Sequence, residues 1–178
     1  MAGLRSLSDP GEPTLTESAT AQATKLEFLR HTLATLAYRG GKTIRGAPEE
    51  FARFRVGPTS RLPIQILAHL GDLLDWALSI ARGQPAWHDT EPARWEEQVE
   101  RFFAGLAALD RALAQGGEAI PAEKLFQGPI ADALTHVGQL AMLRRLAGAP
   151  IRGENYLKAR IAAGAVGAEQ PPAVREFD

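Results

Sequence analysis

Residues 62–83 read LPIQILAHLGDLLDWALSIARG, and the spacing of their apolar positions decides the fold. Leu62, Ile66, His69, Leu73, Trp76 and Ile80 recur every three or four residues, which places them along one face of a helix. Thr59 or Ser60 is positioned to cap that helix. Pro63 suits its first turn, where a missing N–H costs nothing, and Gly83 stops it. The same period appears three more times. Leu26, Leu29, Leu33 and Leu36 line a first helix that opens at Thr14 and Glu17, spaced as a capping box, and is expected to end near Gly40 and Gly41. Trp95, Val99, Phe102, Leu106, Leu109 and Leu113 line a third, expected from Thr90 to Gly116. A fourth is expected to begin after Gly128 and Pro129 and to stop at Gly148, Ala149 and Pro150, with Ile130, Ala133, Val137 and Leu140 as its apolar stripe. No stretch has the two-residue alternation of a β-rich fold. Each stripe can be buried only against the others, so the expectation is an all-α four-helix bundle over residues 14–150.

Outside the bundle, residues 1–13 carry Pro10, Gly11 and Pro13 without an apolar period and read as a loose tail. Residues 151–178 read as a C-terminal extension with a short helix around Asn155 to Ala163. Residues 40–61 form a connector with one helical turn near Glu49 to Phe54. Arg39, Lys42, Arg45, Arg53, Arg55 and Arg61 make the 39–61 segment basic; it is expected to be a solvated loop, with an anion clamp as the alternative. Gly40-Gly41-Lys42-Thr43 lacks the first glycine and the preceding strand of a phosphate loop, and that reading is discarded.

Composition narrows the function. The chain has 178 residues, 45% of them hydrophobic, with 20 Lys and Arg against 21 Asp and Glu, which sets aside a general nucleic-acid binder. Zero cysteines exclude disulfides, Cys-ligated metal and a protein thiol nucleophile. Neither a signal-like apolar run near Met1 nor about 18 uninterrupted apolar residues elsewhere is found, so the expectation is a cytoplasmic protein that engages neither membrane nor nucleic acid.

Chemistry converges on two helices. His69 takes the one polar place in its seam, where an imidazole needs a hydrogen-bond partner or a metal. Asp132 and His136 are one turn apart and share a face that Gln139 continues. Two imidazoles and a carboxylate supply three ligands for Zn or Ni, or for Fe or Mn, and leave coordination positions open. His31 and His88 read as surface residues, and Asp72, one turn from His69, as an exposed helix charge, with a partner supporting His69 or a general base as the alternatives.

The order of these features resembles the DinB-like superfamily of metal-binding four-helix bundles. The residues that carry the likeness are the leucine-rich first helix, Ile66 to Leu70 in helix two, Thr135 to Leu140, and Arg144 to Gly148; it covers about residues 20–150. The resemblance implies an up-down-down-up bundle and a divalent metal held by one histidine in helix two and a His-x-x-x-His pair in the last helix. His69 and His136 match two of those positions, and Asp132 stands at the third. It further implies a metal-dependent thiol transferase or hydrolase with a small-molecule substrate, a low-molecular-weight thiol as cosubstrate, Gln139 supporting the ligands, and a homodimer. The alternative is a non-catalytic dimeric helical module with a degenerate site. One tension is geometric: His69 and His136 both fall in the N-terminal halves of the expected helices, so an antiparallel pair needs an axial offset or an earlier start of helix four.

Overall fold

The computed structural model describes residues 15–117 and 120–177. The tail 1–13 and the Thr14 cap lie outside them. The fold is all-α: α1 (Leu15–Ile44), a 3₁₀ turn (Glu49–Arg53), α2 (Pro63–Ala81), α3 (Trp95–Gln115), α4 (Ala122–Leu125), a π turn (Phe126–Ile130) and α5 (Ala131–Leu146). A two-residue antiparallel ladder, β1 (Gly153–Glu154) with β2 (Glu176–Phe177), is the strand content of the described residues.

One core joins the helices. Leu26, Leu29, Leu33 and Leu36 of α1 meet Leu67, Leu70 and Leu74 of α2, Phe102, Leu106 and Leu109 of α3, and Ala133, Val137 and Leu140 of α5, all buried. Burial of this apolar surface is the dominant stabilising term. The α2 seam is rotated from its expected line: Leu67, Leu70, Leu74 and Ala77 are fully buried, whereas Trp76 and Ile80 are only partly covered. An almost continuously apolar helix leaves its deepest face undetermined by period alone. By length and composition α2 is the one described helix apolar enough to cross a membrane, but 56% of the qualifying window is buried inside the protein, as befits a core helix.

Three helix ends differ from expectation. α1 runs through Gly40 and Gly41 to Ile44, and Gly40 is a packing position rather than a stop: a Cβ there would lie 2.7 Å from the Phe102 ring. α3 starts at Trp95, since Thr90 is held against α2 by Asp72. The fourth helical run starts at Ala122. Gly128 and Pro129 fall inside its π turn, where the wider ring absorbs a residue that lacks an N–H; Ala131 N–H reaches the Phe126 carbonyl. His136 therefore lies past the middle of a run that begins well before Pro129. The α2 cap also differs: Ser60 bonds Gly57, and the Leu62 N–H donates to Gln65 Oε1 at 2.9 Å.

Residue pairs fix how the elements lie along one another. Gly71 meets Arg101 and Leu74 meets Gly105, while Ser79 pairs with Ala86 and Asp72 with Thr90, so the link 82–94 returns along α2. Arg30 pairs with Asp110 and Gly40 with Phe102. Lys25 pairs with Glu123, and Arg144 donates to the Thr43 carbonyl. Trp76 packs on Gly128 and His69 meets Asp132. The extension 151–177 is stitched to α1: Glu154, buried, accepts from Tyr38 Oη at 2.7 Å and Lys42 Nζ at 2.8 Å, and Lys42 also meets Glu176 at 2.7 Å. Its helical part is a 3₁₀ turn at Tyr156–Lys158.

Candidate metal centre

His69 projects from the second turn of α2, and Asp132 and His136 from the first two turns of α5, directly after the π turn. The structure brings the three together. His69 Nε2 is 3.5 Å from Asp132 Oδ2, His136 Nδ1 is 3.2 Å from Asp132 Oδ1, and the two imidazole rings are 4.7 Å apart between centroids. One ligand atom from each residue lies within 4.8 Å of the others. Ligands bound to one tetrahedral ion at about 2.0–2.2 Å stand about 3.3–3.6 Å apart, so a single divalent ion requires these side chains to draw in from that wider spacing. The donor set mixes nitrogen and oxygen, as suits Zn, Ni, Fe or Mn.

Local hydrogen bonding prepares the ligands. With its proton on Nδ1, His136 donates to the Asp132 carbonyl at 3.0 Å, which orients the ring and leaves the Nε2 lone pair free. The Asp132 side chain, 45% exposed, is the solvent-facing member, whereas those of His69 and His136 are 18% and 11% exposed. Burial pushes the His69 imidazole below its ordinary value, and the neighbouring His136 and Arg61 add to this against the opposing pull of Asp132. The neutral, ligating form is thereby favoured. Gln139 is exposed on α5. The structure does not bring it to the three ligands with a hydrogen bond among the described residues.

Around the ligands the link 82–94 supplies a wall. Trp87 stands edge-on to His69 at 5.8 Å and to Trp76 at 5.7 Å. His69 also borders a cavity of about 270 Å³ lined by Arg61, Gln65, Asp72 and Thr90.

The link is anchored by a residue whose sequence reading is overturned. Asp72 is 3% exposed, and its carboxylate accepts from Thr90 N at 3.1 Å, Thr90 Oγ1 at 2.7 Å and Arg101 Nη2 at 2.6 Å. Burial acts to raise its pKa, but the bonds from Thr90 and Arg101 outweigh it and the carboxyl stays below its ordinary range. Arg101 also binds Asp75 at 2.6 Å and the Ala68 carbonyl at 3.1 Å, lying over Gly71, where a Cβ would stand 2.8 Å from its Nη1. His88 is exposed, as expected, but sits 2.9 Å from Arg101. His31 is exposed. Asp72, Arg101, Thr90 and Trp87 went unread as parts of one cluster; the usable signal was two acids, Asp72 and Asp75, inside an otherwise apolar helix, where a charge needs a partner.

Comparison of the chain with protein-family models, with curated proteins and with solved structures finds no match.

Proposed function

We propose that this chain is a DinB-like four-helix bundle of up-down-down-up topology that binds a divalent metal through His69, Asp132 and His136 and acts as a metal-dependent enzyme of thiol-transferase or hydrolase type. The topology is supported by the residue pairs: numbers rise together between α2 and α3 and between α1 and the α4–α5 run, and run oppositely between α1 and α3 and between α2 and α5. The observation that carries the function is the convergence of three ligand atoms within 4.8 Å beside an open cavity. His69 and His136 would offer nitrogens and Asp132 a charged oxygen, and three protein ligands would leave the ion able to take a small molecule as well.

A bound divalent ion would lower the pKa of a thiol or water and yield a nucleophile near neutral pH. With no cysteine in the chain, a thiolate comes from a cosubstrate. Trp76 and Trp87 limit water on one side of His69, and the Asp132 carbonyl holds the His136 ring in position. A homodimer belongs to the same reading, supported by an apolar hollow of about 520 Å³ flanked by the exposed Phe28 and Phe126.

The test is elemental analysis of untagged protein prepared without chelator, beside the His136→Ala variant. Near-stoichiometric metal in the parent and little in the variant is expected, and would direct a screen of thiol-transfer and hydrolytic substrates. No metal in either, even after incubation with Zn(II) or Ni(II), overturns the proposal in favour of a polar network in a structural module.

A further inference from the structure

Six basic residues occupy positions 39–61, and the structure separates them. The Arg39 guanidinium lies 4.5 Å over the Tyr156 ring, Lys42 is ion-paired with Glu154 and Glu176, and Arg55 donates to the Pro58 carbonyl. Arg45 and Arg53 line other hollows, away from His69. Arg61 alone shares a cavity with a candidate ligand, and it is the one basic side chain among that cavity's lining residues. It is exposed and forms no hydrogen bond or ion pair among the described residues. Asp72, in the same cavity, does not compete for it, because Thr90 and Arg101 already occupy its carboxylate. Asp89 and Glu91 lie at the exposed rim and leave Arg61 unpaired.

Arg61 stands two residues before α2, ahead of the extended N-cap Leu62, and Pro63 to His69 then covers about 9 Å along the helix axis at about 1.5 Å per residue. Arg61 and His69 both line the cavity. Its volume of about 270 Å³ equals that of roughly nine waters at about 30 Å³ each, enough for a short organic acid but not a large cofactor. A guanidinium with all five donors free is the side chain best matched to a carboxylate, which it can grip through two parallel bonds.

We propose that Arg61 is the specificity-determining residue of the candidate metal centre, anchoring the carboxylate of a small ligand whose other end reaches the ion held by His69, Asp132 and His136. This rests on the metal-site reading. Gln65, whose Oε1 is engaged by the Leu62 N–H, and Thr90 bound the same space and set its length.

The test uses full-length protein loaded with Co(II), whose visible absorption reports the ligands, titrated with 3-mercaptopropionate and with 3-mercaptopropan-1-ol. The two thiols differ only in the terminal group. In the parent the carboxylate is expected to bind roughly tenfold tighter or more, the ratio given by one charge-assisted hydrogen bond. In Arg61→Gln the ratio should fall to near one. A normal Co(II) spectrum with equal affinities in the parent, or a ratio unchanged in Arg61→Gln, overturns the role of Arg61 and leaves the metal site standing. Failure of the parent to give a saturable Co(II) spectrum overturns both.

Discussion

Replacing Asp72 with alanine measures how firmly the link 82–94 is held beside His69. Three charge-assisted hydrogen bonds end on this carboxylate, at 3.1, 2.7 and 2.6 Å. Each such bond is worth about 1.5–3 kcal/mol, and breaking a buried pair by removing one partner costs about 3–5 kcal/mol. Arg101 retains Asp75 and the Ala68 carbonyl and is 22% exposed at its side chain, so its charge is not stranded. The expected loss is therefore about 2–4 kcal/mol, against about 0.5 kcal/mol for an exposed helix charge. In a chain of this size about 3 kcal/mol lowers Tm by about 6–12 °C. Calorimetry measures that shift, and Trp87 emission reports whether the link has left His69 and Trp76. The pH dependence has a definite sign. The folded carboxyl titrates below its ordinary 3.8, so its contribution is complete above that value and is lost as pH falls through the folded pKa. The gap between parent and Asp72→Asn should begin to shrink as pH falls below about 4 and go on shrinking as the folded carboxyl takes up its proton. A loss under about 0.5 kcal/mol for Asp72→Ala, or a gap that fails to shrink below about pH 4, would refute the reasoning.

Other outcomes follow from the same contacts. Asp132→His, which replaces the most exposed ligand with a third imidazole, should bind Zn(II) more tightly in chelator competition; weaker binding would count against the ligand assignment. Gly40→Val sets a side chain against Phe102, whose ring already lies 2.7 Å from the Cβ position, and should cost about 1–3 kcal/mol by overpacking, read in urea melts. Tyr38 is pushed up to about 12, mainly by burial and next by its bond to Glu154, so Glu154→Gln should move its ultraviolet titration down without restoring the ordinary value. The same variant weakens the hold of Lys42 on the extension and should speed proteolysis within residues 151–177.

Much of the architecture was legible because apolar side chains carry their own period. Leu26, Leu29, Leu33 and Leu36 are buried as spaced, and so are Phe102, Leu106, Leu109 and Leu113. Helix ends were less legible, since Gly and Pro act through backbone geometry that a tertiary contact can override. Gly40 stays inside α1, where Phe102 needs the room, and Pro129 is carried by a π turn rather than starting a helix. Within the site, Asp132 and His136 were readable as neighbours one turn apart on one helix, and His69 as a polar break in an apolar seam. The meeting of α2 with α5 depended on where the fourth run began, and its start at Ala122 removes the axial mismatch. Asp72 was misread because its partners, Thr90 and Arg101, are distant in sequence and no local pattern links them to it. Gln139 shares the face of Asp132 and His136, yet that face passes into solvent before reaching it.

Gly71 shows what an absent methyl group can position. By helix propensity alone alanine is favoured there by about 1 kcal/mol. The hydrogen of Gly71 nevertheless forms the floor on which the Arg101 guanidinium lies flat, one turn above the Ala68 carbonyl and beside the Asp72 oxygens. A methyl at that point would lift the guanidinium away from three acceptors at once, and with it the clasp that keeps Trp87 against His69. The surroundings of the candidate centre are thus coupled to a residue with no side chain and no functional group, through the thickness of one carbon atom.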